Sequence, residues 1–98
     1  RENASSDALQ FAPDETTPSL LDGEVFVTGV NTKATAITNF TDAEAGIVYT
    51  IYGNGSENAS TIASGGNFVL TEAMTLSEGK FIKLAKAADG KFYEVARG

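Results

Sequence analysis

From Gly23 onward the chain is cut into short β-favouring runs by positions that suit tight turns, and no 3.6-residue apolar periodicity survives that punctuation. Seven or eight strands are predicted: Glu24 to Thr28, Ala34 to Phe40, Ile47 to Tyr52, Ser60 to Ala63, Asn67 to Leu70, Met74 to Leu76, Lys80 to Lys86 and Lys91 to Arg97. The breaks between them are Gly29-Val30-Asn31, Asp42 to Gly46, Gly53-Asn54-Gly55, Gly65-Gly66, Glu78-Gly79 and Asp89-Gly90. Most of these supply a residue able to take positive φ. Eleven threonines point the same way, away from a helical bundle. The one rival is Thr41 to Gly46, long enough for a single helical turn.

Alternation within the runs assigns faces. Ile82 and Leu84 alternate with Phe81, Lys83 and Ala85, and Tyr93 and Val95 alternate with Phe92, Glu94 and Ala96, so each of the last two runs has an apolar face. Asp89-Gly90 links them, which predicts an antiparallel hairpin. Ile47, Tyr49 and Ile51 point one way while Val48, Thr50 and Tyr52 point the other, so that strand is apolar on both faces. A chain of 98 residues rarely covers both, and Phe26, Phe40, Phe68, Phe81 and Phe92 add further aromatic surface. Burial against identical neighbours is therefore expected, with Phe26, Phe40, Tyr49, Ile51, Phe81 and Phe92 as the oligomer interface. The alternative is a monomer whose N-terminal stretch lies over the second face.

Residues 1–22 have another texture: acidic, rich in Ser and Thr, carrying both prolines, with only Leu9, Phe11, Leu20 and Leu21 as large apolar residues. They read as an extended arm or linker preceding a β domain over 23–98, with Phe11 either an anchor for a neighbouring chain or part of a plain tether. The first residues lack the basic and apolar regions of a secretory signal, so the start reads as processed or trimmed. No run approaches the roughly 20 apolar residues of a membrane span, so no membrane partner is expected.

Chemistry is limited by what is missing. Histidine, cysteine and tryptophan are absent, which removes the commonest acid-base catalyst, soft metal ligands, disulfides and thiol nucleophiles. No catalytic residue, cofactor or metal is expected. Seven basic residues against thirteen acids leave a net charge of -6, which repels a nucleic-acid backbone. Asp42, Glu44, Asp89 and Glu94 form no calcium-binding ladder and read as solvating charges. Glu94 and Asp89 are the nearest thing to a glycosidase pair, but a hairpin offers no cleft between them, so no enzyme activity is expected. Lys80, Lys83, Lys86 and Lys91 flank the last hairpin, where they read as edge guards or as partners for acids on an adjacent subunit. Four sequons, at Asn3, Asn39, Asn54 and Asn58, read as turn formers rather than glycan sites. The longest polar loop, Gly53 to Ser60, has Tyr52 at its root; Tyr52, Asn54, Ser56 and Asn58 are the candidate ligand loop, with the ring able to stack on a sugar.

The strands and loops taken together resemble a β module of phage virion proteins. The resemblance covers Gly23 to Arg97, through Gly23-Glu24-Val25-Phe26-Val27-Thr28, Ala36-Ile37-Thr38-Asn39-Phe40, Ala45 to Ile51, Thr61-Ile62-Ala63, Gly66 to Leu70, Met74 to Leu84 and Asp89 to Arg97. It departs at Phe92, where that module's closing hairpin usually carries Trp, and in residues 1–22, which have no counterpart. It implies a place at the end of a tail spike or fibre, on a head fibre, or on a capsid protein, commonly as a homotrimer.

The expectation is thus an all-β domain, a small antiparallel β-sandwich or jelly roll with an extended N-terminal arm, or alternatively a short β-helix-like stack. The expected function is structural: a virion surface protein, capsid-associated as a decoration or head-fibre module, assembled in the bacterial host cytoplasm beside other virion proteins. The alternative is a tail-fibre or cell-surface module that recognises host glycan.

Overall fold

The structure, a computed structural model, describes residues 8–55 and 57–98. Among these residues there is no helix, and the chain forms nine strands. They are β1 (Leu9–Gln10), β2 (Val25–Val27), β3 (Thr35–Ile37), β4 (Val48–Tyr52), β5 (Ser60–Ile62), β6 (Phe68–Val69), β7 (Met74–Leu76), β8 (Phe81–Lys86) and β9 (Phe92–Arg97). All eight predicted runs contain a strand, and β1 is additional. The segment Thr41 to Gly46 makes no helical turn: Thr41 bridges to Ser19, and Ile47 N–H bonds back to Glu44 C=O at 3.3 Å.

Six strands form one sheet in the order β1-β2-β4-β8-β9-β6, and three form another in the order β3-β5-β7. The pairing is mixed, not purely antiparallel: four of the seven strand pairs, β1-β2, β2-β4, β3-β5 and β6-β9, are parallel. The reason lies in the connections. Parallel neighbours need a crossover of a dozen residues or more, and here the crossovers of β2-β4, β3-β5 and β6-β9 each carry a strand of the other sheet, whereas that of β1-β2 carries none. Phe26 lies beside Ile51 and Ile37 beside Ile62, in each case 25 positions further along the chain. The chain therefore winds as a coil, each turn laying one strand in each sheet on the turn before, as in the β-helix-like alternative. The last three strands close the coil by antiparallel pairing: β7 on β5, β8 on β4, and β9 on β8.

The β8-β9 hairpin forms as predicted, with Gly90 at φ +88° accepting the turn and its N–H bonded to Ala87 C=O at 3.1 Å. The facing of β9 differs from the alternation read above. Phe92 is buried, whereas Tyr93 and Val95 are exposed. A bulge between Lys83 and Leu84 leaves Val95 without an opposite residue and shifts the phase of the strand beyond it.

One core lies between the two sheets. Phe26, Ile51, Ile82, Leu84 and Phe92 enter it from the larger sheet, and Ile37, Ile62, Met74 and Leu76 from the smaller. Phe11 and Leu20 also belong to it. The described part of the expected arm is thus extended but packed. Its β1 pairs with β2, Pro18 C=O accepts from Thr41 N–H at 3.0 Å, and the Phe11 ring stacks 5.3 Å from Phe26. The physical cause is simple: the Phe11 ring gains more by packing on Phe26 and Phe40 than by staying in water.

Candidate interaction surface

The expected oligomer interface is corrected by this packing. Phe26, Phe40, Tyr49, Ile51 and Phe92 are each at most 3% exposed in the single chain, so they form its own core and cannot line a contact between chains. The rings of Phe40, Phe68 and Phe92 meet one another at 5.4 to 5.7 Å, and the Tyr49 hydroxyl accepts a bond from Glu44 N–H at 2.9 Å. The smaller sheet and Phe11 and Leu20 of the N-terminal segment cover these residues within the single chain. Of the six residues only Phe81 stays at the surface, half-buried beside Tyr52 with the rings 5.6 Å apart.

Phe81 marks a different surface, the outer face of the six-stranded sheet. Registered neighbours share a face, so the outward residues run in rows across the strands. One row is Val27, Tyr52 and Phe81; the next is Val25, Thr50 and Lys83; the third is Val48, Ala85, Tyr93 and Val69. Val25, Val48, Tyr52, Val69 and Tyr93 are each between 38% and 42% exposed. The solvent face of a half-covered sheet ordinarily alternates to polar residues. Here Lys83 is the one charge in these rows.

The described residues of the candidate ligand loop fall in two places. Tyr52 belongs to the outer face, whereas Asn54 and Asn58 serve the coil. Asn54 Nδ2 donates to Thr28 C=O at 2.9 Å and its N–H donates to Thr28 Oγ1 at 3.2 Å. Asn58 Nδ2 donates to Asn31 C=O at 3.2 Å. Ser56 lies outside the described residues, as does the Asn3 sequon. The residue that sequence reading missed is Asn31, 6% exposed and bonded to the turns of the coil before and after its own. Its Oδ1 accepts from Asp14 N–H at 2.8 Å, and its Nδ2 donates to Asn58 C=O at 2.8 Å and to Ser60 Oγ at 3.0 Å. Asn is placed here because one amide offers both an acceptor and two donors. In sequence it looked like any turn residue after Gly29.

The carboxylates are occupied by structure as well. Glu94 accepts from Arg97 Nε and Nη2, both at 2.8 Å, and from the N–H and hydroxyl of Thr71 at 3.0 and 3.1 Å. The Arg97 guanidinium is the main reason the Glu94 pKa falls to about 2, helped by Thr71 and opposed by desolvation. Arg97 also donates to Glu72 C=O at 2.6 Å, so this clamp ties β9 to the segment leading into β7 and hence one sheet to the other. Asp89 accepts from the Tyr93 hydroxyl at 2.6 Å and from Lys91 N–H at 2.8 Å, and its pKa is also lowered, chiefly by the Tyr93 bond. The Glu94 carboxylate is thus engaged in the clamp and the Asp89 carboxylate in the turn of the β8-β9 hairpin. The Lys86 ammonium sits 4.8 Å over the Phe92 ring.

Among the described residues no group of three or more acids forms a metal-binding cluster, and no helix is long and apolar enough to cross a membrane. An open groove of about 480 Å³ lies at the first turn of the coil, lined by Leu9, Phe11, Pro18, Leu21 and Phe26 among others. Comparison with family models, with curated proteins and with solved structures returns no match for this chain.

Proposed function

We propose that the chain is a structural module of a phage virion surface, capsid-associated as a decoration or head-fibre domain, without enzymatic activity. It acts by assembly, as a homotrimer beside other virion proteins, after synthesis in the bacterial host cytoplasm. The observation that carries this reading is the outer face of the six-stranded sheet, whose rows hold aromatic and aliphatic residues with one charge where a free-standing sheet would present polar side chains. The resemblance over Gly23 to Arg97 supplies the virion setting. The mechanism is burial of apolar area at roughly 25 cal/mol per Å² rather than chemistry.

Gold-labelled antibody against the chain, applied to purified particles, tests the reading. Label on the heads is expected, and particles that remain unlabelled overturn it. Titration with host cell-wall polysaccharide is expected to show no binding. Saturable sugar binding abolished by Tyr52→Ala would replace the architectural role with receptor recognition on a tail fibre or cell surface.

A further inference from the structure

We infer that Asn54 is a site of self-modification, converting to aspartate or isoaspartate by closing on the nitrogen of Gly55, and that the conversion unfastens a corner of the coil. Of the six asparagines in the chain, Asn54 alone is followed by glycine; the others precede Ala, Thr or Phe, whose side chains crowd the backbone nitrogen that must attack. The structure leaves this pair open to water: Asn54 is half-buried, and Gly55 is exposed, at φ +86°. The Gly55 nitrogen bonds to Asn54 Cγ, the Cγ–Nδ2 bond breaks, and the Gly55 amide proton departs with the Asn54 amide nitrogen as ammonia. Water then opens the cyclic imide at either carbonyl. One opening restores the ordinary backbone with an aspartate side chain, and the other reroutes the backbone through the former side chain as isoaspartate. Water is the only co-reactant.

The consequence follows from what Asn54 holds. Beyond the last register pair of β2 and β4, Val27 with Tyr52, Thr28 N–H donates to Tyr52 C=O at 2.9 Å. Asn54 carries the contact one step further: its N–H donates to Thr28 Oγ1 at 3.2 Å and its Nδ2 to Thr28 C=O at 2.9 Å. Conversion to aspartate puts a carboxylate oxygen where Nδ2 stood, acceptor against acceptor, beside a residue only 1% exposed. Isoaspartate also lengthens the backbone next to Gly53, which is pinned by its N–H bond to Lys80 C=O at 2.9 Å and by the carbonyls of Leu76 and Ser77, which leave no room for a Cβ. The same bonds to Thr28 fix the Asn54 amide while the corner is closed, so conversion runs through openings of the corner and is slow in the folded chain.

Peptide mapping by mass spectrometry, on the full chain kept for weeks at mildly alkaline pH, tests the inference. The peptide holding Asn54 is expected to gain about one mass unit, the difference between an amide and an acid, and to become a substrate for an isoaspartyl methyltransferase, ahead of the peptides holding the other asparagines. Unfolding in urea is expected to speed the conversion severalfold. Thr28→Val, close in shape but without the hydroxyl that Asn54 N–H bonds, is expected to speed it in native buffer. Should that variant disturb the fold, the parent's conversion rate at urea concentrations below its unfolding transition gives the same reading, rising as the corner opens more often. Asn54→Asp, which carries one of the two products from the start, is expected to unfold at a lower temperature than the parent. An Asn54 that stays intact while another asparagine converts, a rate equal in folded and unfolded chain, or an Asn54→Asp variant with the parent's midpoint overturns the inference.

Discussion

At Glu94 a single carboxylate carries a bidentate guanidinium and two bonds from Thr71, and its pKa of about 2 sets the sign of one pH effect. The group is more acidic folded than unfolded, so its stabilisation is complete above its ordinary value of 4.5 and is lost as pH falls towards 2. Glu94→Gln should cost about 1–3 kcal/mol at neutral pH, as expected for charged hydrogen bonds removed, and should flatten the dependence of urea unfolding on pH between those two values. An unchanged slope would show that the clamp contributes nothing. Asn31 makes a parallel case without charge: Asn31→Ala removes the bonds from Asp14 N–H, to Asn58 C=O and to Ser60 Oγ and should lower stability by about 1–3 kcal/mol in the same unfolding assay. Neither role was legible beforehand. A turn asparagine and a cross-linking asparagine have the same neighbours in sequence, and Glu94 finds Thr71 only through the fold.

The strands were legible because β-branched residues and turn glycines report directly on local backbone preference. Which strands pair was not. Gly53-Asn54-Gly55 and Asp89-Gly90 look alike as punctuation, yet the first begins a corner of a coil and the second reverses the chain. The 25-residue step relates Val25-Phe26-Val27 to Thr50-Ile51-Tyr52 by burial pattern rather than by identity, so no repeat stood out. Gly53 shows what the corner demands: a Cβ there would collide with the backbone carbonyls of Leu76 and Ser77. β1 escaped notice because its two residues sit among prolines and acids, though Phe11 held the signal. Phe11→Ala should therefore cost about 3–5 kcal/mol, whereas Leu21→Ala, at a side chain 60% exposed, should stay within about 0.5 kcal/mol. Equal and small effects in denaturant titrations of both variants would restore the free tether.

For the molecule as a whole, the two sheets contribute to a single core, and Tyr49 is buried within it. Unfolding should accordingly be one transition. Tyrosine fluorescence and far-UV circular dichroism should give coincident midpoints, and separated curves would mean that the sheets come apart independently. Part of the surface had been visible in the sequence. The strand Ile47 to Tyr52 reads as apolar on both sides, and β4 does bury Tyr49 and Ile51 while exposing Val48 and Tyr52. What sequence could not assign was which side the chain covers by itself, since that depended on a segment with little β character.

The closing strands have a consequence for synthesis. β4 takes β2 along one edge and β8 along the other, and β8 leaves the ribosome roughly 30 residues after it. Until then the nascent coil holds a bare ladder of amides and carbonyls, with Ile51 and Phe26 lacking the in-sheet neighbours Ile82, Leu84 and Phe92 that later extend their side of the core. Completion of this unit thus waits on translation, and a growing chain needs either shielding or speed over those last codons to keep its unfinished rim from joining another's.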